Sequence, residues 1–210
     1  MPAAAEETPG SEPTALERPL PDFRRAVKAD ALLFARQTFL DGGRVDMQAL
    51  AGQLGVARAT LYSWFGSREQ LLEELLSEIA VDIFDTLDLT AVGEGAERML
   101  NIARPLMEAY SNLEPLRAFA AREPTLALKI IVAEEGLVHR RTAERLLRTV
   151  AAGSAEPQPA LVELIAVVTQ ISSNLVWVTY AIGGEPQIDR AMRVIRILLA
   201  SAQAEGLLPR

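Results

Sequence analysis

The sequence contains no cysteine and only one histidine, His139, among its 210 residues. The absence of cysteine excludes disulfide scaffolds, thiolate metal sites and cysteine nucleophiles, and a single histidine leaves little for hydrolytic or metal chemistry. Aromatic residues are also few, at 5%, but half of the chain is hydrophobic. A chain of this length buries roughly 70% of the surface that its unfolded form exposes. We therefore expect a globular protein whose core needs no disulfide or metal, and we expect no cofactor.

The first twenty residues lack an apolar run and instead carry several prolines and acidic side chains. This composition is typical of neither a signal peptide nor a transit peptide, and it predicts a disordered tail over residues 1–20. The expectation that follows is a cytoplasmic protein.

Charge is distributed unevenly along the chain. The formal net charge is −7 and the pI is about 4.9, which excludes a protein that is basic over its whole surface. The segment from Arg18 to Arg68 nevertheless carries +4, so the remainder carries −11. This asymmetry indicates a small N-terminal module that meets an anion and a larger acidic module that does not, although chance clustering on a solvated face gives the same count.

Apolar residues recur at helical spacing along almost the whole chain, and neither an alternating strand nor an internal repeat occurs. The sequence therefore predicts an all-α fold. The first predicted helix, residues 23–40, turns Leu32, Ala35 and Phe39 inward and ends at a pair of glycines. Later helices are predicted over residues 71–87, 95–112, 116–122, 125–150, 160–182 and 187–204.

Two short helices joined by a tight glycine turn lie between the first and the fourth helix. Asp46 is predicted to cap the second helix, and Gly55 to end it in a left-handed conformation. The third helix spans residues 57–65, and Ser67 begins a capping box that opens the fourth. This arrangement is the helix-turn-helix pattern.

The segment VDMQALAGQLGVARATLYSWFGSREQLL, residues 45–72, resembles the DNA-binding region of the TetR family of bacterial transcriptional regulators. The likeness rests on the Leu-Ala pair of the second helix, the Gly-Val turn, the Thr-Leu-Tyr of the third helix, Phe65, and the basic start of the fourth helix. It covers about residues 24–75. Within the family, this segment is similar to the lactone-responsive QsdR-like regulators of actinobacteria, a likeness from which no ligand follows.

The resemblance implies a helix-turn-helix DNA-binding domain over residues 21–68 and a helical effector-binding and dimerisation domain over residues 69–210. It further implies a homodimer, paired through the last two helices of each subunit, that represses transcription at a near-palindromic operator in double-stranded DNA. A small-molecule effector between the fourth and eighth helices would move the fourth helix and release the DNA. Ala57 departs from the family, which often places a capping serine there.

Candidate DNA contacts lie on the second, third and fourth helices. Arg58 suits a guanine in the major groove, because a guanidinium donates two parallel hydrogen bonds, and contact with phosphate alone is the alternative. Trp64 packs either on the sugar-phosphate backbone or against the first helix. Arg68, where the family usually has lysine, is predicted to hold a phosphate. The predicted contacts are Gln48, Arg58, Ala59, Thr60, Tyr62, Ser63, Trp64 and Arg68.

Candidate effector contacts combine apolar side chains with a few polar groups, as ligand pockets do. The candidates are Met99, Met107, Tyr110, Phe119, Gln170, Asn174 and Trp177. Ordinary core packing is the alternative for each of them. The mixture suits a small, largely apolar molecule with a hydrogen-bonding group.

The stretch 160–182 is nearly continuously apolar, with Glu163 as its only charged residue. A helix that is apolar on most sides lies in a core or between subunits. The polar residues from Thr169 to Asn174 disfavour the competing prediction of a membrane span. We therefore expect no membrane partner, and we expect this helix at a dimer interface.

Two other functions stay open at this point. Glu134, Glu135 and His139 on one predicted helix suggest a helical-bundle enzyme with a metal or ligand site, but a solvated helix face accounts for the same residues. The second alternative is an adaptor that keeps the fold without binding DNA, which Tyr62, Arg68 and the basic N-terminal module disfavour. We expect a transcription regulator and not an enzyme.

Overall fold

The computed structural model describes residues 27–151 and 157–208. Over these residues the chain forms helices and no strand, which confirms the all-α prediction. The predicted tail, residues 1–20, and the start of the predicted first helix lie outside the described residues. The elements are α1 (Lys28–Leu40), α2 (Met47–Leu54), α3 (Arg58–Phe65), α4 (Arg68–Asp88), α5 (Gly95–Ser111), α6 (Glu114–Arg122), α7 (Pro124–Ile131), α8 (Leu137–Val150), α9 (Pro159–Ser173), a π-helical segment (Asn174–Val178), α10 (Thr179–Ala181) and α11 (Ile188–Ala204).

Local caps fix the ends of α2. The Oδ1 atom of Asp46 accepts hydrogen bonds of 2.9 Å from the backbone N–H groups of Ala49 and Gln48, and these bonds lower the pKa of the Asp46 carboxyl. Gly55 ends α2 in the left-handed conformation, with φ at 64°, where a side chain would add strain. Both predicted caps are confirmed.

The inner face of α1 is offset by one residue from the prediction at its N-terminal end. Ala31, Ala35 and Phe39 are buried, whereas Leu32 is half-buried at the edge of the core. The small Ala31 side chain lets α1 lie close to the rest of the helix-turn-helix.

Helix α4 joins the helix-turn-helix to the rest of the molecule. Its N-cap Ser67 accepts a 3.1 Å hydrogen bond from the backbone N–H of Gln70, which is one of the two hydrogen bonds of the predicted capping box. The apolar stripe of α4 packs against α5, α7 and α8. In addition, Phe39 of α1 meets Phe119 of α6 edge to face, with ring centroids 5.9 Å apart. One hydrophobic core therefore continues from the helix-turn-helix into the C-terminal part.

The single helix predicted over residues 125–150 is wrong, because the chain turns between α7 and α8. At this turn Glu73 of α4 accepts a 2.7 Å hydrogen bond from the backbone N–H of Leu137, so another helix supplies the cap of α8. Gly136 permits this approach, since a Cβ there would lie 3.3 Å from Glu73 Oε1 and 3.1 Å from the carbonyl oxygen of Ala133. The turn leaves Glu134 and Glu135 exposed.

Beyond the turn, α8 directs His139 inward, where its side chain is 4% exposed. The solvated face predicted for the two glutamates and His139 is therefore wrong for the histidine.

The apolar C-terminal stretch forms α9, the π-helical segment and α10 as one helical run. By length and composition alone this run could cross a membrane, but it packs against α8 and α11 and is partly buried. The carbonyl of Leu175, in the π-helical segment, accepts a 3.1 Å hydrogen bond from the backbone N–H of Gln187 and so fastens the start of α11. Apolar side chains remain exposed at Val162, Val167, Val178, Ile182 and, on α11, Ile197.

Candidate DNA-binding surface and cavity

Helix α3 divides into a buried and an exposed face. Leu61 and Phe65 lie in the core, 0% and 4% exposed. The opposite side presents four side chains to solvent, and α2 adds one from its first turn. These exposed candidates are Arg58, Ala59, Tyr62, Ser63 and Gln48. The structure therefore brings most of the predicted DNA contacts onto a single surface.

On this surface, Arg58 and Tyr62 contact each other one helical turn apart. Nη2 of Arg58 donates a 3.0 Å hydrogen bond to the Tyr62 hydroxyl, and the guanidinium carbon lies 5.3 Å from the ring centroid. The contact holds a cation and a phenol side by side at the outer face of α3.

Two predicted DNA contacts, Thr60 and Trp64, are only half-exposed. The indole of Trp64 packs against the core of the helix-turn-helix, which favours the second of its two predicted roles. Ala57 makes no side-chain cap at the start of α3, as its methyl group dictates.

The Arg68 side chain is held by acceptors of the protein itself. Its Nη1 and Nη2 donate to the two carboxylate oxygens of Glu123 at 2.7 and 2.8 Å, and its Nε donates to the carbonyl of Val45 at 2.6 Å. The Arg68 side chain is 22% exposed. This geometry disfavours the predicted phosphate contact, because protein acceptors already bind all three donor nitrogens. The Arg68 hydrogen bonds in turn hold the pKa of the Glu123 carboxyl below its usual value.

Arg44 is a cation that the sequence-based assignment missed. It lies in the loop before α2, its side chain is 71% exposed, and its Nε is 3.7 Å from Glu123. Lys28 and Arg36 are paired with carboxylates of α4, namely Glu74 and Asp82. Among the basic residues described between positions 27 and 68, the exposed Arg44 and Arg58 are not paired with a carboxylate of α4 and are therefore best placed to meet a phosphate. In the sequence, Arg44 is one of several basic residues, and no local pattern shows which of these residues form ion pairs with the carboxylates of α4.

A cavity of about 80 Å³ lies in the C-terminal part, between α4, α5, α7, α8, α9, the π-helical segment and α11. Of the predicted effector contacts, four line it, namely Met99, Met107, Tyr110 and Trp177. The Trp177 ring packs edge to face on Tyr110, with centroids 5.8 Å apart. The walls are predominantly apolar.

The other three predicted effector contacts lie outside the cavity. Phe119 packs on Phe39 at the junction with α1. Gln170 uses its side-chain amide to donate a 3.0 Å hydrogen bond to the carbonyl of Val132, and Asn174 donates to the carbonyl of Gln170 at 2.9 Å. The structure therefore does not support these three as lining residues of this cavity, although Oε1 of Gln170 is buried without a hydrogen-bond partner in the described part of the chain.

His139 is a lining residue that the sequence-based assignment missed. Its imidazole faces the cavity, and neither ring nitrogen has a hydrogen-bond partner within the described part of the chain. Burial lowers the pKa of the imidazole. In residues 27–151 and 157–208, no group of three or more acidic or histidine side chains is arranged to hold a metal ion.

Two family models match the chain. The model described as bacterial regulatory proteins, tetR family, matches residues 35–75. The model described as tetracyclin repressor-like, C-terminal domain, matches residues 94–200. Among curated proteins, none matches the chain.

Solved structures of bacterial repressors share the fold. The transcriptional repressor QsdR of R. erythropolis is 29% identical with a TM-score of 0.73, over 82% of this chain and 93% of its own. The TetR family repressor AlkX of Dietzia sp. strain DQ12-45-1b is 19% identical with a TM-score of 0.61, over 86% of this chain and 97% of its own. The two family models together cover the helix-turn-helix and most of the helices around the cavity. The chain therefore belongs to the TetR family of DNA-binding transcription regulators, which are not enzymes.

Proposed function

We propose that the protein is a cytoplasmic homodimeric repressor that binds a near-palindromic operator through α3 and leaves it when a small, largely apolar effector fills the cavity. The observation that carries DNA binding is the division of α3, with Leu61 and Phe65 buried behind an exposed face that carries Arg58, Tyr62 and Ser63. The likeness to QsdR, itself a repressor, supports repression over activation. DNA binding is assigned to residues 21–68, and effector binding and dimerisation to residues 69–210.

The exposed side chains suggest distinct contacts. Arg58 is assigned to a guanine, with Tyr62 holding its guanidinium in place or donating to a phosphate. Ala59 and Thr60 suit a thymine methyl group. Ser63 and Gln48, at the edges of the surface, are assigned to the sugar-phosphate backbone. Arg44 is assigned to a phosphate, the role first predicted for Arg68, and Trp64 is assigned to packing against the core of the helix-turn-helix.

The dimer is assigned to α9 and α11. Exposed apolar side chains at Val162, Val167 and Ile197 lie on these two helices, and an apolar face of this kind favours burial against a second copy. A two-fold axis between the copies would set the two α3 helices against the two halves of an operator.

The cavity reaches the DNA-binding surface through a short series of contacts. Ala80 of α4 and Ile131 of α7 both line it. Helix α7 begins directly after Glu123, which binds Arg68 in the first turn of α4, and Arg68 binds the carbonyl of Val45, next to the N-cap of α2. A ligand larger than the cavity must displace its walls, so it binds the operator-bound conformation less tightly than the released one. Effector and operator then weaken each other's binding by the same factor.

Selection from random duplex DNA by the full chain, repeated at two salt concentrations, tests the proposal. We expect a near-palindromic motif whose half-sites lie about one helical turn apart. Enrichment of a single half-site would contradict the dimer. No enrichment, even at low salt, would contradict operator binding and favour an adaptor of the same fold.

A further inference from the structure

We propose that His139 is the polar anchor of the effector, and that the cavity takes an uncharged amphiphile whose carbonyl or hydroxyl group bonds to the imidazole while its apolar chain lies along the remaining walls. This inference rests on the proposed effector function and assigns to it a residue and a ligand class.

His139 is a buried polar residue in the wall of the cavity. The side chain is 4% exposed, it lines the cavity, and neither Nδ1 nor Nε2 has a hydrogen-bond partner among the described residues. A buried polar group without a partner is costly and rare in folded proteins. A ligand with a hydrogen-bonding group at this point would satisfy the imidazole, and much of its affinity would come from doing so.

Three of the other polar groups of the wall already donate hydrogen bonds to backbone carbonyls. The Tyr110 hydroxyl donates to the carbonyl of Leu76 at 3.4 Å. The hydroxyls of Thr169 and Ser172 donate to backbone carbonyls of their own helix at 2.8 and 2.7 Å. Within the described lining, the imidazole differs from these hydroxyls because both of its ring nitrogens are buried without a hydrogen-bond partner.

The charge of the wall selects an uncharged ligand. No Asp, Glu, Lys or Arg side chain belongs to the described lining. Burial lowers the pKa of His139, and the nearby Glu134 opposes this only in part. At neutral pH the ring is then uncharged and offers one donor and one acceptor. A carboxylate or ammonium group would lie here without a counter-charge, which is far more costly than burying a carbonyl or a hydroxyl that is hydrogen-bonded.

The size and walls of the cavity indicate a short apolar chain. The volume of about 80 Å³ is smaller than the engineered cavity of about 150 Å³ that admits benzene, so a ligand of that size must push the walls apart. Met99 and Met107 lie in the wall, and methionine side chains adapt their shape at low cost. A flexible chain with one polar end fits this wall better than a rigid polar ring system.

Direct binding to the full-length protein without DNA provides the test. The probes are four molecules with the same chain of about six carbons: the methyl ketone, the primary alcohol, the alkane and the carboxylate. Calorimetric titration measures their affinities, and the shift of the melting temperature at saturating probe gives an independent measure. We expect the ketone and the alcohol to bind about tenfold more tightly than the alkane, and the carboxylate not to bind.

Variants of α8 identify the anchor. His139→Leu should reduce the ketone's affinity to the level of the alkane, while the alkane binds as before. The same substitution should raise the melting temperature of the ligand-free protein by about 2–4 °C, because it removes a buried group without a partner. His139→Gln should restore part of the ketone's affinity. Thr149→Val is the matched control, because Thr149 is a buried polar residue of α8 that lies outside the cavity lining.

The outcomes separate this inference from the proposed function. Four results would each overturn the anchor, even if operator binding is intact. The wild type could bind ketone and alkane equally well, or His139→Leu could bind the ketone as tightly as the wild type does. The carboxylate could bind in preference to the other probes, or no probe could bind at all. If His139→Leu does not fold, His139→Met takes its place with the same expectation. A ketone that binds through His139 but leaves operator affinity unchanged would instead confirm the anchor and contradict the proposed effector response.

Discussion

The guanidinium of Arg68 binds both carboxylate oxygens of Glu123, at 2.7 and 2.8 Å, and so joins the first turn of α4 to the junction of α6 and α7. Its remaining donor, Nε, binds the carbonyl of Val45 at the entrance to α2. A bidentate pair fixes orientation as well as distance. Three elements of the chain therefore meet at one side chain, at the place where the helix-turn-helix and the C-terminal part share a core.

Substitution of Arg68 and of Arg44 should separate a structural role from a phosphate contact. Arg68→Ala is expected to lower the free energy of unfolding by about 1–3 kcal/mol, because it leaves Glu123 and the Val45 carbonyl without their donor. Arg44→Ala should leave the free energy of unfolding nearly unchanged. It should make the slope of the logarithm of operator affinity against the logarithm of salt concentration shallower by about one. Urea denaturation and binding at several salt concentrations measure both effects. An equal loss of slope in Arg68→Ala would restore its phosphate role.

The Glu123 carboxyl should make stability depend on acid pH. Its pKa is lowered from 4.5, chiefly by the hydrogen bonds from Arg68. A group with a depressed folded-state pKa contributes stability that is complete above its unfolded pKa and is lost as pH falls through the folded one. The stability deficit of Glu123→Gln should therefore be constant above about pH 6 and shrink below about pH 4.5, as urea denaturation across this range would show. A deficit that grows on acidification would contradict the assignment.

Local signals made the helix-turn-helix predictable. The caps at Asp46 and Ser67 join groups two or three residues apart, so the sequence contains the whole interaction. The exposed face of α3 follows from the inward spacing of Leu61 and Phe65. By contrast, the role of Arg68 depends on Glu123, 55 residues away, and no local pattern distinguishes a free arginine from a paired one.

The cavity was only partly predictable for the same reason. Met99 and Trp177 are large and apolar, but so is Phe119, and only the packing of α1 on α6 decides that Phe119 lies elsewhere. His139 was missed because the turn before α8 depends on Glu73, 64 residues from the backbone N–H that it caps. Periodicity reports which face of a helix is apolar and not which neighbour covers it.

Substitutions on α3 should distinguish base contacts from backbone contacts. Arg58→Ala is expected to relax the preference at one base pair of each half-site, by about 1–3 kcal/mol. Tyr62→Phe removes the hydroxyl that is proposed to donate to a phosphate and should weaken binding to all sequences alike. Site selection with each variant measures the preference. An unchanged motif with Arg58→Ala would show that the guanidinium meets phosphate only.

The exposed apolar side chains of α9 and α11 should hold the dimer together. Val167→Asp combined with Ile197→Asp places two carboxylates in the proposed interface, where burial without a partner is costly. Light scattering should report a monomer, and affinity for a full operator should fall to that of a half-site. Val92→Asp, in the turn before α5, is the matched control, because Val92 is 70% exposed and lies away from the interface. A double variant that stays dimeric would place the interface elsewhere.

Filling the cavity from α4 should imitate the effector and reveal how its signal reaches the DNA. Ala80 lines the cavity at 5% exposure, and Ala80→Leu adds bulk that must displace either α4 or the facing walls. We expect operator affinity to fall about tenfold, whereas Ala96→Leu, a buried alanine of α5 outside the lining, should cost stability without that loss. A double-mutant cycle on operator affinity shows whether the contact between Arg68 and Glu123 transmits this displacement. If it does, Glu123→Gln should reduce the effect of Ala80→Leu, and the two substitutions would be non-additive. Strict additivity would mean that α4 moves the helix-turn-helix through the shared core around Phe39 and Phe119, with the ion pair contributing only stability.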